Sequence, residues 1–305
     1  MKLLIGVDGS TGSFEAIKLA VRLIDRTRDQ VAFYYSPVEV PLKSDQDAGP
    51  EMRRRARQAL ADAVFVEARK RLPEPLASEV HTIVGTQQPA HGLIVAADSW
   101  RADAIVVGAR GLGPIQSMFL GSVSRQVVQA GTVPVLVVRP DAVPNDPPVR
   151  LLLAYDPASA ARQAEIASLF TWPAGTTGRV IRIVESMLAG PLPAWLEQQA
   201  RDADCEAMAQ AWVQEHATEV QQQREEVMAY LSKLPAVFHG ATPIVIEGHP
   251  ADQILKAIKS EQIDIAIVGK TAGGALKRML VGSTSAQILN TAPCSVLVVP
   301  LHETP

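Results

Sequence analysis

Short leucine-rich and β-branched runs alternate with longer amphipathic stretches along the first half of the chain. The apolar runs Leu3–Val7, Val31–Tyr35, His81–Val84, Ala104–Val107 and Val133–Val138 have the length of strands. Between them, Ser13–Ile24 carries Ile17, Ala20, Val21 and Ile24 on one helical face. Pro50–Leu72, Ala90–Ser99 and a segment opening at Ser122 also read as helices. Apolar strands separated by helices imply right-handed βαβ crossovers, hence a doubly wound, mostly parallel sheet with helices on both faces.

The pattern is written twice. Residues 102–138, ADAIVVGARGLGPIQSMFLGSVSRQVVQAGTVPVLVV, return 161 residues later as IDIAIVGKTAGGALKRMLVGSTSAQILNTAPCSVLVV. Gly108 matches Gly269, Gly121-Ser122 matches Gly282-Ser283, Ser124 matches Ser285, and Val135–Val138 matches Val296–Val299. Likewise KLLIGVDGS, with Asp8 after the apolar run, corresponds to RLLLAYDPAS, with Asp156 in the same place. The chain reads as a tandem duplication of one α/β unit, residues 1–140 and 149–305, joined by the proline-rich PDAVPNDPP. In the second unit the interval between the second strand (Val180–Val184) and the third (Pro243–Ile246) is longer. This insert, residues 187–240, contains Ala194–Leu234, which lacks proline and glycine and predicts one long helix or two stacked ones. The last strand of each unit would be a bare apolar edge by itself. Val135–Val138 and Val296–Val299 are therefore expected to face each other across a pseudo-twofold axis, one chain standing in for a dimer. Further self-association through other surfaces stays open.

Composition narrows the partners. A chain of 305 residues accommodates two domains, and 47% hydrophobic with 20% charged residues is globular usage. A net charge of −3 supplies no general basic field for nucleic acid or an anionic membrane, so any anion must be held locally. Cys205 and Cys294 lie far apart without CxxC spacing, which argues for two free thiols in a reducing compartment. The apolar run after Lys2 stops at Asp8, too short for a signal-peptide core or a membrane span, so a cytoplasmic location is expected. The histidines, including His81, His91 and His249, show no zinc spacing, and there is neither a GxSxG elbow nor a GxxxxGK[ST] loop.

In doubly wound sheets, ligands bind beyond the carboxyl ends of the strands, where the winding direction switches. Asp8 ends the first strand, Gly108-Ala-Arg-Gly111 follows the fourth, and Gly121-Ser122 opens the next helix. The spacing G-x2-G-x9-G-S lets backbone approach a ligand, and the first turn of a helix offers unpaired N–H donors and a positive partial charge to phosphate. Ser122 and Ser124 can add hydroxyls. Asp8 would be repelled by phosphates and suits ribose hydroxyls or an adenine amino group. The second copy keeps Asp156, Gly269, Gly282, Ser283 and Ser285 but has Ala272 in place of Gly111, followed by Gly273 and Gly274. Lys270, Lys277 and Arg278 could neutralise phosphates there. Each feature also has a plainer reading: the glycines as turns, the aspartates as helix caps, the cations as ordinary surface charges.

These residues together resemble the ATP-binding pattern of the universal stress protein family, a strand-ending aspartate plus G-x2-G-x9-G-[ST], over nearly the whole chain. The resemblance implies five strands per unit in an adenine nucleotide alpha hydrolase-like fold and ATP, with or without Mg, as ligand. It also implies a regulatory role in stress through nucleotide-dependent conformation or partner binding. It places Asp8, Gly108, Gly111, Gly121, Ser122 and Ser124 at the nucleotide, with backbone near Ser36–Val38 at the adenine. Two alternatives stand beside it: a scaffold of the same fold that presents the helical insert without nucleotide, and a slow ATPase. A phospho-receiver is excluded, because the third strand ends in Val84-Gly85 and the fifth in Arg139-Pro140, leaving no acceptor aspartate or lysine.

Overall fold

The computed structural model describes residues 1–37, 49–111, 120–140, 148–184, 203–270 and 282–301. Its strands are β1 (Lys2–Gly6), β2 (Gln30–Tyr35), β3 (His81–Val84), β4 (Ala104–Gly108), β5 (Val135–Val138), β6 (Arg150–Ala154), β7 (Thr177–Val184), β8 (Ile244–Glu247), β9 (Ile265–Lys270) and β10 (Ser295–Pro300). Among the described residues the helices are α1 (Thr11–Arg22), α2 (Pro50–Arg69), α3 (Leu76–Glu79), α4 (Pro89–Trp100), α5 (Ser122–Ala130) and α6 (Ala160–Leu169), followed by α7 (Ala203–Leu231), α8 (Pro250–Ser260) and α9 (Ser283–Thr291).

The strands form one sheet of 10 in the order β3-β2-β1-β4-β5-β10-β9-β6-β7-β8. All neighbours are parallel except β5 and β10 at the centre. Each half thus winds outward from its first strand in both directions, which places a switch point between β1 and β4 and another between β6 and β9. At the seam Leu136 lies opposite Leu297, its own repeat partner, with Val135 opposite Val298 and Val137 opposite Val296. A pair of equivalent residues facing each other marks a local twofold axis, as the duplicated edge strand led us to expect.

Alternation along the strands sends residues to two apolar layers. Leu3, Ile5, Leu136, Leu151 and Leu153 pack with α1, α2, α6 and α7, while Leu4, Val135, Val137 and Leu152 pack with α4, α5, α8 and α9. Both layers contain residues of both halves, so the core runs across the seam. Two cations fasten it. The guanidinium of Arg139 donates to the carbonyl of Leu289 at 2.8 Å, in the last turn of α9, and the ammonium of Lys270 donates to that of Gln129 at 2.5 Å, in the last turn of α5. Each charge meets the negative end of a helix from the other half. Lys270 was expected beside phosphates. Instead its half-buried stem carries the ammonium to the seam, and burial holds its pKa below the usual lysine range.

Boundaries differ from the sequence reading in small ways. β1 ends at Gly6 rather than Val7, and β5 begins at Val135 because Thr132 to Pro134 form the turn into it. The insert contributes one helix of 29 residues, α7; its earlier part, residues 187–202, lies outside the described residues.

Candidate functional site

At the carboxyl edge of the first half the site is assembled from three chain segments. Ser10 caps α1, its hydroxyl accepting from the Ser13 amide at 3.2 Å. Asp8 therefore does not cap the helix directly. Its Oδ1 accepts from the Ser10 amide at 3.0 Å and the Ser10 hydroxyl at 2.5 Å, bracing the cap, while Oδ2 lies against Gly111. A β-carbon on Gly108 would stand 2.6 Å from the carbonyl carbon of Gly12, and one on Gly12 would collide with the Arg110 carbonyl. The first glycine of the motif thus serves close packing of β4 on α1. Gly12, which the sequence reading left just ahead of its helix and which lies in the first turn of α1, is its counterpart.

The next helix is tied down by a repeated bond. The Ser124 hydroxyl donates to the Gly108 carbonyl at 2.8 Å, and the Ser285 hydroxyl donates to the Gly269 carbonyl at 2.5 Å. Both serines are buried, so the expected extra hydroxyl donors hold the helix start over the strand end. The Gly121 amide, expected among the phosphate donors, is bonded to the Ala109 carbonyl at 2.8 Å. The donors that the first turn of α5 presents are then the amides of Ser122, Val123 and Ser124. Of the expected adenine segment, Ser36 donates its hydroxyl to the Gln87 carbonyl at 2.6 Å, and Val38 lies outside the described residues. The Tyr34 side chain runs away between Gly85 and Gly92, whose missing β-carbons make room for its hydroxyl.

The second half carries a half-open cavity of about 240 Å³. Its lining combines apolar residues, Ile181, Ile183, Ile254, Val268 and Ile288 with Ala154 and Pro250, and polar positions, Tyr155, Asp156, Arg182, Thr284 and Ser285, with Gly269. Asp156, Gly269 and Ser285, singled out by the repeat, thus share one crevice, and Gly282-Ser283 opens α9 beside it. Asp156 Oδ1 accepts from the Ala158 amide at 3.1 Å. Ala272, Gly273, Gly274, Lys277 and Arg278 lie outside the described residues.

Sheet register makes the two halves comparable. Gly6 pairs with Tyr34 and Ala154 with Ile181, so Ile181 replaces Tyr34 and Arg182 replaces Tyr35. Gln253 stands where the repeat offset puts Gly92, and its amide bonds the Glu247 carbonyl at 3.1 Å. The second half thus has a glutamine on the helix where the first has glycine, and an isoleucine on the strand where the first has tyrosine. Tyr155 and Arg182 were missed in the sequence reading. The available signal was an arginine near the carboxyl end of an otherwise apolar strand. Burial pushes the Tyr155 phenol up, with Glu226 and Asp156 adding to the shift and Arg182 opposing it; burial and the Asp8 charge do the same to Tyr35. Among the described residues, no group of three or more His, Cys, Asp or Glu could hold a metal ion, and no helix is long and apolar enough to cross a membrane.

Comparison with known proteins follows this geometry. The model of the universal stress protein family matches residues 1–139 and 188–300. A universal stress protein of Mycolicibacterium smegmatis is 26% identical over 306 residues, covering 97% of this chain and 96% of the relative. The universal stress protein YxiE of Bacillus subtilis is 29% identical over 151 residues, covering 45% of this chain and 98% of its own length, as a single unit of the duplication would. A crystal structure of a universal stress protein from Archaeoglobus fulgidus superposes with a TM-score of 0.62 at 19% identity, covering 100% of this chain and 97% of that one, which supports the fold.

Proposed function

The chain belongs to the universal stress protein family, and from that premise we propose that it binds adenine nucleotide, ATP with or without Mg, at the carboxyl edge of each half. Its two functional units are residues 1–140 and 149–305, the second carrying the insert 187–240. Occupancy alters conformation or partner binding under stress.

The observation that carries this reading is the cavity in which Asp156, Gly269 and Ser285 meet an isoleucine-lined slot. An apolar slot suits a purine ring, a carboxylate beside it suits ribose hydroxyls, and the first-turn amides of the adjoining helix suit phosphate. The cavity volume falls just under the lower end, about 300 Å³, of pockets that bury a whole ligand. This reading puts base and sugar in the crevice and the phosphates outside it, beside Gly282 and Ser283. In the first half it gives the same roles to Asp8, after β1, and to the first-turn amides of α5. Three or four hydrogen bonds to charged groups, at about 1.5–3 kcal/mol each, support micromolar affinity after association costs.

Mass spectrometry of freshly purified, denatured protein should release adenine nucleotide, and calorimetric titration of the full chain should show ATP binding. Asp8→Ala or Gly121→Val should weaken the first site at least tenfold. Absence of both carried nucleotide and ATP binding would refute the reading in favour of a scaffold.

A further inference from the structure

Helix α7 grips the wall of the second cavity from outside. Arg182 and Tyr155 both line that cavity. The Arg182 Nε donates to the Gln223 side-chain carbonyl at 2.8 Å, and its guanidinium lies 5.7 Å from the centre of the Tyr155 ring. The other neighbour of Tyr155 is Tyr230, ring centre to ring centre 4.8 Å at 53°. Tyr230 is buried, and its hydroxyl donates to the Ala160 carbonyl at 3.0 Å, at the start of α6. Gln223, Val227 and Tyr230 recur at helical spacing, so one stripe of α7 reaches both wall residues. In the first half Val7 and Tyr35 occupy these positions, and among the described residues neither the arginine–glutamine bond nor the ring pair has a counterpart there.

We propose that α7 is the positioning element of the second site: Gln223 and Tyr230 hold Arg182 and Tyr155 in the cavity wall, so nucleotide occupancy and packing of this helix stabilise each other. The inference rests on the nucleotide reading above and adds a regulated asymmetry to it. A ligand that binds better when the wall is held must, by linkage, strengthen the contacts that hold it. The second site therefore reports its occupancy to the insert, and the first site does not.

Hydrogen exchange of the full chain, followed by mass spectrometry across an ATP titration, reads both halves in one molecule. Occupancy of the second site appears as protection in residues 150–160, occupancy of the first in residues 1–12, and the response of the helix in residues 223–231. In the unaltered chain the helix segment should gain protection along the same ATP curve as residues 150–160. Gln223→Leu, which removes the acceptor from a half-exposed position, should shift the second-half curve to about tenfold higher ATP, the change expected from one charge-assisted hydrogen bond. The first-half curve should not move. Gln223→Glu, which restores an acceptor for Arg182, should return the second-half curve towards the original, a rescue that a merely structural glutamine would not produce. Protection in residues 150–160 without any change in 223–231, or an unshifted curve in Gln223→Leu, would overturn the positioning role while leaving nucleotide binding intact. No ATP-dependent protection in either half would overturn the nucleotide reading and this inference with it.

Discussion

Gly108→Ala, at the end of β4, and Gly111→Ala, three residues on, each add one methyl group and are expected to fail in different ways. On Gly108 the new carbon would stand 2.6 Å from the Gly12 carbonyl carbon, 2.7 Å from its oxygen and 3.0 Å from the Ser13 nitrogen. All three atoms are backbone at the start of α1, so strand and helix must separate, and overpacking of this kind costs about 1–3 kcal/mol. On Gly111, among the described residues, it meets the Asp8 carboxylate, with Cγ at 3.5 Å and Oδ2 closer. A carboxylate can rotate away, losing the bonds it accepts from the amide and hydroxyl of Ser10. At a partly exposed position that loss is worth about 1 kcal/mol of stability. The same rotation removes Asp8 from the place assigned to ribose or base, and one lost hydrogen bond of about 1.4 kcal/mol is a tenfold change in affinity. Urea denaturation and ATP titration of the two full-length variants separate the effects. Gly108→Ala should lose the larger share of stability, and Gly111→Ala should stay nearly as stable while binding ATP about tenfold more weakly in the first half. Unchanged ATP affinity in Gly111→Ala would show that the Asp8 carboxylate does not contact the ligand. Wild-type stability in Gly108→Ala would show that the contact between β4 and α1 yields without cost.

Two further outcomes test the seam and the core. Lys270→Met keeps the apolar stem but leaves the Gln129 and Gly131 carbonyls without the ammonium; a loss of about 1–3 kcal/mol in urea denaturation is expected, and an unchanged midpoint would contradict the assigned role. Burial pushes the Cys294 thiol from 9.0 up to about 12, so the native state keeps a proton that the unfolded chain releases. Its contribution to stability is complete below pH 9 and is lost as the pH rises towards about 12. Stability measured across that alkaline window should fall less steeply in Cys294→Ala than in the unaltered chain, and coincident slopes would refute the assignment.

The duplication, the α/β class and the central strand pairing were legible in the linear sequence, because hydrophobic period and repeat offset are local or arithmetic properties of the chain. Leu136 and Leu297 meet at the twofold axis for a reason visible there: identical apolar edges have to be covered. The repeat also marked Asp8, Asp156 and the glycines, since the residues that follow corresponding strands recur in both halves, the aspartate 148 positions on and the glycines 161.

What these groups do to each other was decided only in three dimensions. Gly108 is a glycine because α1 passes over it, Ser124 and Ser285 bond carbonyls 16 residues away, and Lys270 turns from the crevice to the seam. Each of these outcomes depends on which polar atom lies nearest after packing, and sequence spacing carries no record of that. Tyr155 and Arg182 show the same limit. Their importance comes from contacts with Gln223 and Tyr230, more than forty positions onward in the chain, on a helix that folds back against β7 behind residues that line the second cavity.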